Sequence, residues 1–139
     1  MAIQLPCYCA SLRQAARTIS QQYDQAVRPA KLTITQFTIM MMLRHRPGIR
    51  VGELAEALAM DQTTISRTVA LMRRDGLIEP EESQDRRERR WVLTAIGHRR
   101  YEKALPLWEA AQQKIEAGLG PGSSKRLKAL AFELTDKLA

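Results

Sequence analysis

From Leu12 onward, apolar residues return every third or fourth position, at Leu12, Ala16, Ile19, Tyr23 and Val27. That spacing predicts an amphipathic helix over residues 9–27, stopped by Pro29, which lacks the amide hydrogen a helix needs. Thr35 is the expected cap of a second helix. Its Phe37, Ile39, Met40, Met41, Met42 and Leu43 are apolar on more than one side, which predicts burial, and Pro47-Gly48 ends it. A third helix is expected from Val51 to about Leu58, hiding Val51, Leu54, Ala55 and Leu58 and exposing Glu53 and Glu56. After a break at Ala59-Met60, Asp61 can cap a fourth helix through Arg74, with Gly76 as its left-handed stop. Ile65, Val69 and Met72 face inward on it; Gln62, Thr63, Ser66, Arg67 and Arg73 face outward. Two short helices joined this tightly, the second polar on its outer face, form a helix-turn-helix.

The periodicity then changes. Leu77 to Pro80 and Arg90 to Leu93 read as two short strands around a polar tip, residues 81–89, that holds Asp85, Arg86 and Arg87. Pro80 cannot donate a ladder hydrogen bond and belongs at an edge or bulge. A hairpin placed directly after the outward-facing helix is a wing. Thr94 caps a long fifth helix carrying Tyr101, Leu105, Trp108, Ile115 and Leu119, with a kink expected at Pro106. Gly118 to Gly122 is the expected turn, and Ser123 or Ser124 the cap of a last helix with Leu127, Leu130, Leu134 and Leu138 on one face. The fold class is therefore mainly α with a small β-hairpin wing, a winged helix-turn-helix plus N- and C-terminal dimerisation helices. One chain divides into a first helical region (1–34), a winged region (35–97) and closing helices (98–139). The first, fifth and sixth helices have apolar stripes that the small winged core does not reach in sequence, so a homodimer is expected to bury them.

Composition sharpens this picture. Lys+Arg outnumber Asp+Glu by 22 to 15, for a formal charge of +7, and 16 of the 22 are Arg. A small basic domain meets polyanions, and the guanidinium fork suits phosphate and guanine better than a lysine point charge does. Aromatic residues make up only 5% of the chain, which argues against a platform for stacking single-stranded bases. Duplex DNA is the expected partner. The excess charge is not spread evenly: residues 50–100 carry 10 Arg against 9 Asp+Glu, so arginine placement matters more than net charge. No apolar run is long enough to span a bilayer and the start of the chain does not resemble a signal peptide, so a cytoplasmic protein without membrane contact is expected. His45 and His98 stand singly, without zinc-site spacing, and no phosphate loop, HExxH or GxSxG motif occurs. Neither a metal, a cofactor nor an enzyme is expected.

The segments LAEALAMDQTTISRTVALMRRDGLI and SQDRRERRWVLTAIG, in that order, resemble the MarR family of transcriptional regulators. The Asp-Arg-Arg wing tip and the Leu-Thr-x-x-Gly that follows carry the likeness, which extends over nearly the whole chain. It implies a winged helix-turn-helix dimer on duplex DNA, most often a repressor released by a small ligand or an oxidant. Within that frame Gln62, Thr63, Thr64, Ser66 and Arg67 occupy the first two turns of the fourth helix, where side chains reach base edges in the major groove. Either Thr63 or Thr64 can instead serve the helix cap. Arg86 or Arg87 suits the narrow minor groove, with Asp85 holding a guanidinium in place. Arg73, Arg89, Arg46 and Arg50 are further candidate DNA contacts, and Arg44 belongs to the cluster around His45; a solvated basic surface is the alternative for that cluster.

Cys7 and Cys9 are the two cysteines, too few and too close for a disulfide framework. In the organic-hydroperoxide-sensing branch of the same family a cysteine lies in the first helical region, and spacing to Arg17 and Tyr23 aligns Cys9 with it. Ile34 stands where that branch has a tyrosine, and Cys7 is additional. Peroxide sensing through Cys9, with Cys7 resolving, is one reading; buried or incidental thiols are the other. Met40 to Met42 and Trp108 either line a pocket for a small aromatic or phenolic ligand or simply pack the core. A winged-helix protein-interaction module without specific DNA binding, and a dithiol redox enzyme, are the readings from other classes.

Overall fold

The computed structural model describes residues 1–82 and 90–139. The minor-groove candidates Arg86 and Arg87, with Asp85 and the further DNA-contact candidate Arg89, lie outside the described residues. The first helix, α1, runs Tyr8–Val27, and Pro29 opens a short 3-10 turn, Arg28–Ala30, in place of a further helical turn. The next, α2, spans Ile34–His45, and its cap is Thr33 rather than the expected Thr35. The reason is local: Gln36 lies three residues after Thr33, so the Thr33 hydroxyl accepts from the Gln36 amide while Gln36 Oε1 accepts from the Thr33 amide. Asp24 of α1 accepts from the Ile34 amide at 2.7 Å, tying α1 to the same helix start.

Two short helices follow, α3 (Val51–Ala57) and α4 (Gln62–Arg74), then β1 (Ile78–Pro80) and β2 (Trp91–Leu93). The strands pair antiparallel with Ile78 opposite Leu93 and Pro80 opposite Trp91. A two-stranded ribbon leaves each strand an edge, which is where Pro80 can be tolerated. Beyond the strands the Glu81 amide still donates to the Arg90 carbonyl at 2.9 Å, and Arg50 bridges to Arg90, so the residue opening α3 is tied to the root of the wing.

The long helix α5 (Ala95–Leu119) runs through Pro106 without a break. The turn after it is shorter than predicted: Gly120 alone, at φ +82°, separates α5 from α6 (Pro121–Leu138). Neither Ser123 nor Ser124 is the cap. Pro121 starts α6 at the one position where a missing amide and a fixed φ cost nothing, and the Ser124 hydroxyl instead donates to the Gly120 carbonyl.

The core gathers Phe37, Ile39, Met40 and Leu43 of α2, Leu54 of α3, Ile65, Val69 and Met72 of α4, Leu77 and Ile78, and Trp91 and Leu93 of the wing. Tyr101 and Ala104 of α5 and Val27 of α1 belong to it as well. Phe37 stacks on Tyr101 with ring centroids 5.1 Å apart, and Trp108 tilts against the same ring at 5.7 Å. Val27 is the one buried residue of α1, and α6 buries none.

Candidate nucleic-acid interface

Asp61 ends the turn after α3 in extended backbone and caps α4: its carboxylate accepts from the Thr64 amide at 3.1 Å and from the Thr64 hydroxyl. These bonds, with a smaller contribution from the Arg67 charge, hold the Asp61 carboxyl below its ordinary pKa. The capping threonine is therefore Thr64, whose hydroxyl is spent on Asp61. Thr63, Ser66 and Arg67 stay exposed on the outer face, one turn apart, while Ile65, Val69 and Met72 anchor the opposite face. Gln62 is exposed too, but its amide nitrogen lies back over α3: a β-carbon on Gly52 would stand 3.4 Å from Gln62 Nε2.

The turn that sets α4 across α3 is made by Ala59, at φ +50°. The Ala59 amide donates to the Glu56 carbonyl and the Met60 amide to the Ala55 carbonyl, the paired bonds of a Schellman stop. The same pair recurs at the end of α4, where Gly76 at φ +74° donates to Arg73 and Leu77 to Met72. The expected left-handed stop at Gly76 is present.

The arginines separate into distinct environments. Arg73 is exposed in the last turn of α4, its guanidinium carbon 5.6 Å from the centre of the Trp91 ring on β2. Eleven residues separate it from Gln62, about 16 Å of helix axis, so the two cannot address the same base pairs. Arg46 closes α2 and Arg50 opens α3; both are exposed and flank the helix-turn-helix. Arg44, from the same predicted cluster, lies along α5: it pairs with Glu102 and covers the Tyr101 ring at 4.9 Å. Burial raises the Tyr101 pKa, with the Arg44 charge opposing it. Residue spacing carried no signal for these pairings, because Glu102 lies 58 positions away.

Cys7 and Cys9 are free thiols, both exposed, at the start of α1. Burial does not account for them in this chain. They line a shallow groove with Arg13 and Arg17 of the same helix. Met40 is wholly buried, and Met41, Met42 and Trp108, partly buried, pack against the core. An open cleft of about 360 Å³ lies instead between α1 and α5, lined by Gln22, Ala26, Leu107, Ala111, Lys114 and Ile115. Nearby Tyr23 donates to Gln112, and burial with the adjacent Glu116 charge raises its pKa. Among the described residues no cluster of His, Cys, Asp and Glu could hold a metal ion, and no helix is long and apolar enough to cross a membrane.

A polar helix face presented by a tight helix-turn-helix and followed by an antiparallel hairpin defines a winged helix-turn-helix regulator that binds DNA. The chain belongs to the MarR family of transcriptional regulators, whose family model matches residues 30–88. It is similar to the transcriptional regulator MosR of M. tuberculosis, solved in complex with DNA: 35% identity, 94% of each chain covered, TM-score 0.84. It is also 32% identical over 94 residues to the HTH-type transcriptional regulator BilQ of Clostridium symbiosum, spanning 67% of this chain and 62% of that protein. The HTH-type regulator YwoH of Bacillus subtilis is 25% identical over 92 residues, or 66% of this chain and 67% of that one.

Proposed function

We propose that the protein is a homodimeric repressor that reads a pseudo-palindromic duplex, released by a small ligand or by thiol oxidation. The carrying observation is the exposed face of α4, where Thr63, Ser66 and Arg67 stand clear of every core contact beside the root of the wing. Gln62 joins this face at its edge, and Thr64 contributes through the cap. Arg46, Arg50, Arg73 and Arg89 supply backbone-phosphate contacts around it, and Arg86 or Arg87 enters the minor groove. The structure of MosR in complex with DNA supports this reading.

A dimer is supported by apolar side chains with no cover in one chain. Leu127, Leu130, Phe132, Leu134 and Leu138 of α6 are each at least 42% exposed, and Leu12 of α1 and Leu119 of α5 add to them. Monomeric proteins rarely expose an apolar surface of this extent. Two-fold symmetry then sets half-site centres about 34 Å apart. For release, the exposed Cys7 and Cys9 support an oxidant, and the cleft between α1 and α5 supports a small aromatic or phenolic ligand.

The test is selection of bound fragments from random duplexes by the full chain, followed by affinity measurements across salt. Affinity is expected to fall steeply between about 50 and 200 mM salt. Arg67→Ala should cost about 1–3 kcal/mol of binding with the fold intact. Salt-insensitive or absent duplex binding overturns the reading in favour of a protein-interaction module. Operator release by peroxide that survives unchanged in Cys9→Ser removes the thiol branch.

A further inference from the structure

Thr94 does more than begin α5. Its hydroxyl accepts from the Gly97 amide at 2.9 Å, the ordinary work of a helix cap, and at the same time donates to the carbonyl of Gly76, the residue that closes α4. Its own amide donates to the Leu77 carbonyl at 3.1 Å. Gly97, one turn into α5, rests on that same Leu77 carbonyl so closely that no side chain fits. Otherwise α4 packs chiefly on α3 and β1, whereas α5 packs chiefly on α1, α2 and α6. Beside the β1–β2 ladder, the exit of α4 and the entrance of α5 are therefore joined at Thr94, whose amide holds Leu77 and whose hydroxyl holds Gly76.

We propose that Thr94 is a positioning residue for operator spacing. By tying the end of the DNA-reading helix to the helix that carries the dimer face, it sets the separation at which two copies of α4 meet the duplex. This rests on the dimeric DNA-reading function proposed above. A cap alone needs only an acceptor at position 94, while the joint needs a donor as well, so the two roles are separable by substitution. Aspartate keeps the acceptor and has no proton for Gly76. Serine keeps both. Valine keeps the shape and loses both.

The experiment uses the full-length dimer and a duplex selected from random sequence, with versions of that duplex lengthened or shortened by one base pair between half-sites. The reading is the ratio of affinities for native and altered spacing, which cancels any uniform effect of the new charge on DNA affinity. The parent and Thr94→Ser should discriminate alike. Thr94→Asp, folded and dimeric by circular dichroism and sedimentation, should lose about fivefold or more of that ratio, the scale of one hydrogen bond. Thr94→Val should lose it too and serves if the aspartate variant does not fold. An unchanged ratio in either folded variant overturns the proposal. A parent chain that binds no duplex overturns it as well, and is distinguished because it fails before any substitution is made.

Discussion

Gly97 of α5 faces Leu77 so closely that a β-carbon on it would overlap the Leu77 carbonyl oxygen. The obstacle is backbone, held by the Thr94 amide, and cannot swing aside as a side chain would. Gly97→Ala is therefore expected to destabilise the protein by about 2–4 kcal/mol through overpacking. Urea unfolding should show a lower midpoint, and a midpoint equal to the parent's would contradict the contact.

Ala59 is the opposite case. It holds a left-handed conformation at φ +50° with its side chain exposed, which costs an L-residue roughly 1–2 kcal/mol, partly offset by the chain entropy that glycine loses on folding. Ala59→Gly should raise stability by up to about 1 kcal/mol, seen as a higher thermal midpoint, with duplex affinity unchanged.

The cap of α4 makes part of the stability pH-dependent. The folded-state pKa of Asp61 is lowered, so its contribution is fully present above the ordinary aspartate range and is lost as pH falls through the lowered value. Asp61→Asn can still cap the helix but has nothing to titrate there. Denaturation midpoints measured down an acid series should fall less steeply in Asp61→Asn than in the parent; parallel curves would exclude the mechanism.

Arg44 and Arg46, two residues apart, should behave differently on DNA. Arg44 is engaged by Glu102 and Tyr101, and an ion pair this exposed contributes only about 0–1 kcal/mol to stability. Arg46 is exposed at the end of α2. Arg46→Ala should reduce the slope of log affinity against log salt by about 1, the signature of one lost phosphate contact. Arg44→Ala should leave that slope unchanged while lowering the unfolding midpoint slightly.

Much of this molecule is written in short-range chemistry. Asp61 reaches Thr64, Thr94 reaches Gly97, and Gly76 turns the chain within one residue, so these caps and stops are readable from neighbours alone. Thr33 was equally readable, since Gln36 three positions on completes its capping box, whereas Thr35 has no such partner in the sequence. The turn before α6 was overestimated because Gly118, Pro121 and Gly122 all carry turn chemistry, although Gly118 is compatible with a helix interior and Pro121 with a helix start.

The sequence by itself determined the order of elements, the inward and outward faces of α4, and the family, because periodicity, caps and motif order are local properties. Tertiary structure decided what the exposed-looking polar groups lie against. Arg44 is drawn onto Glu102, Arg73 comes over Trp91, and the Thr94 hydroxyl finds Gly76 eighteen residues back in the chain. Each pairing depends on how helices cross and how a strand returns, and no residue spacing encodes those angles until the core has packed.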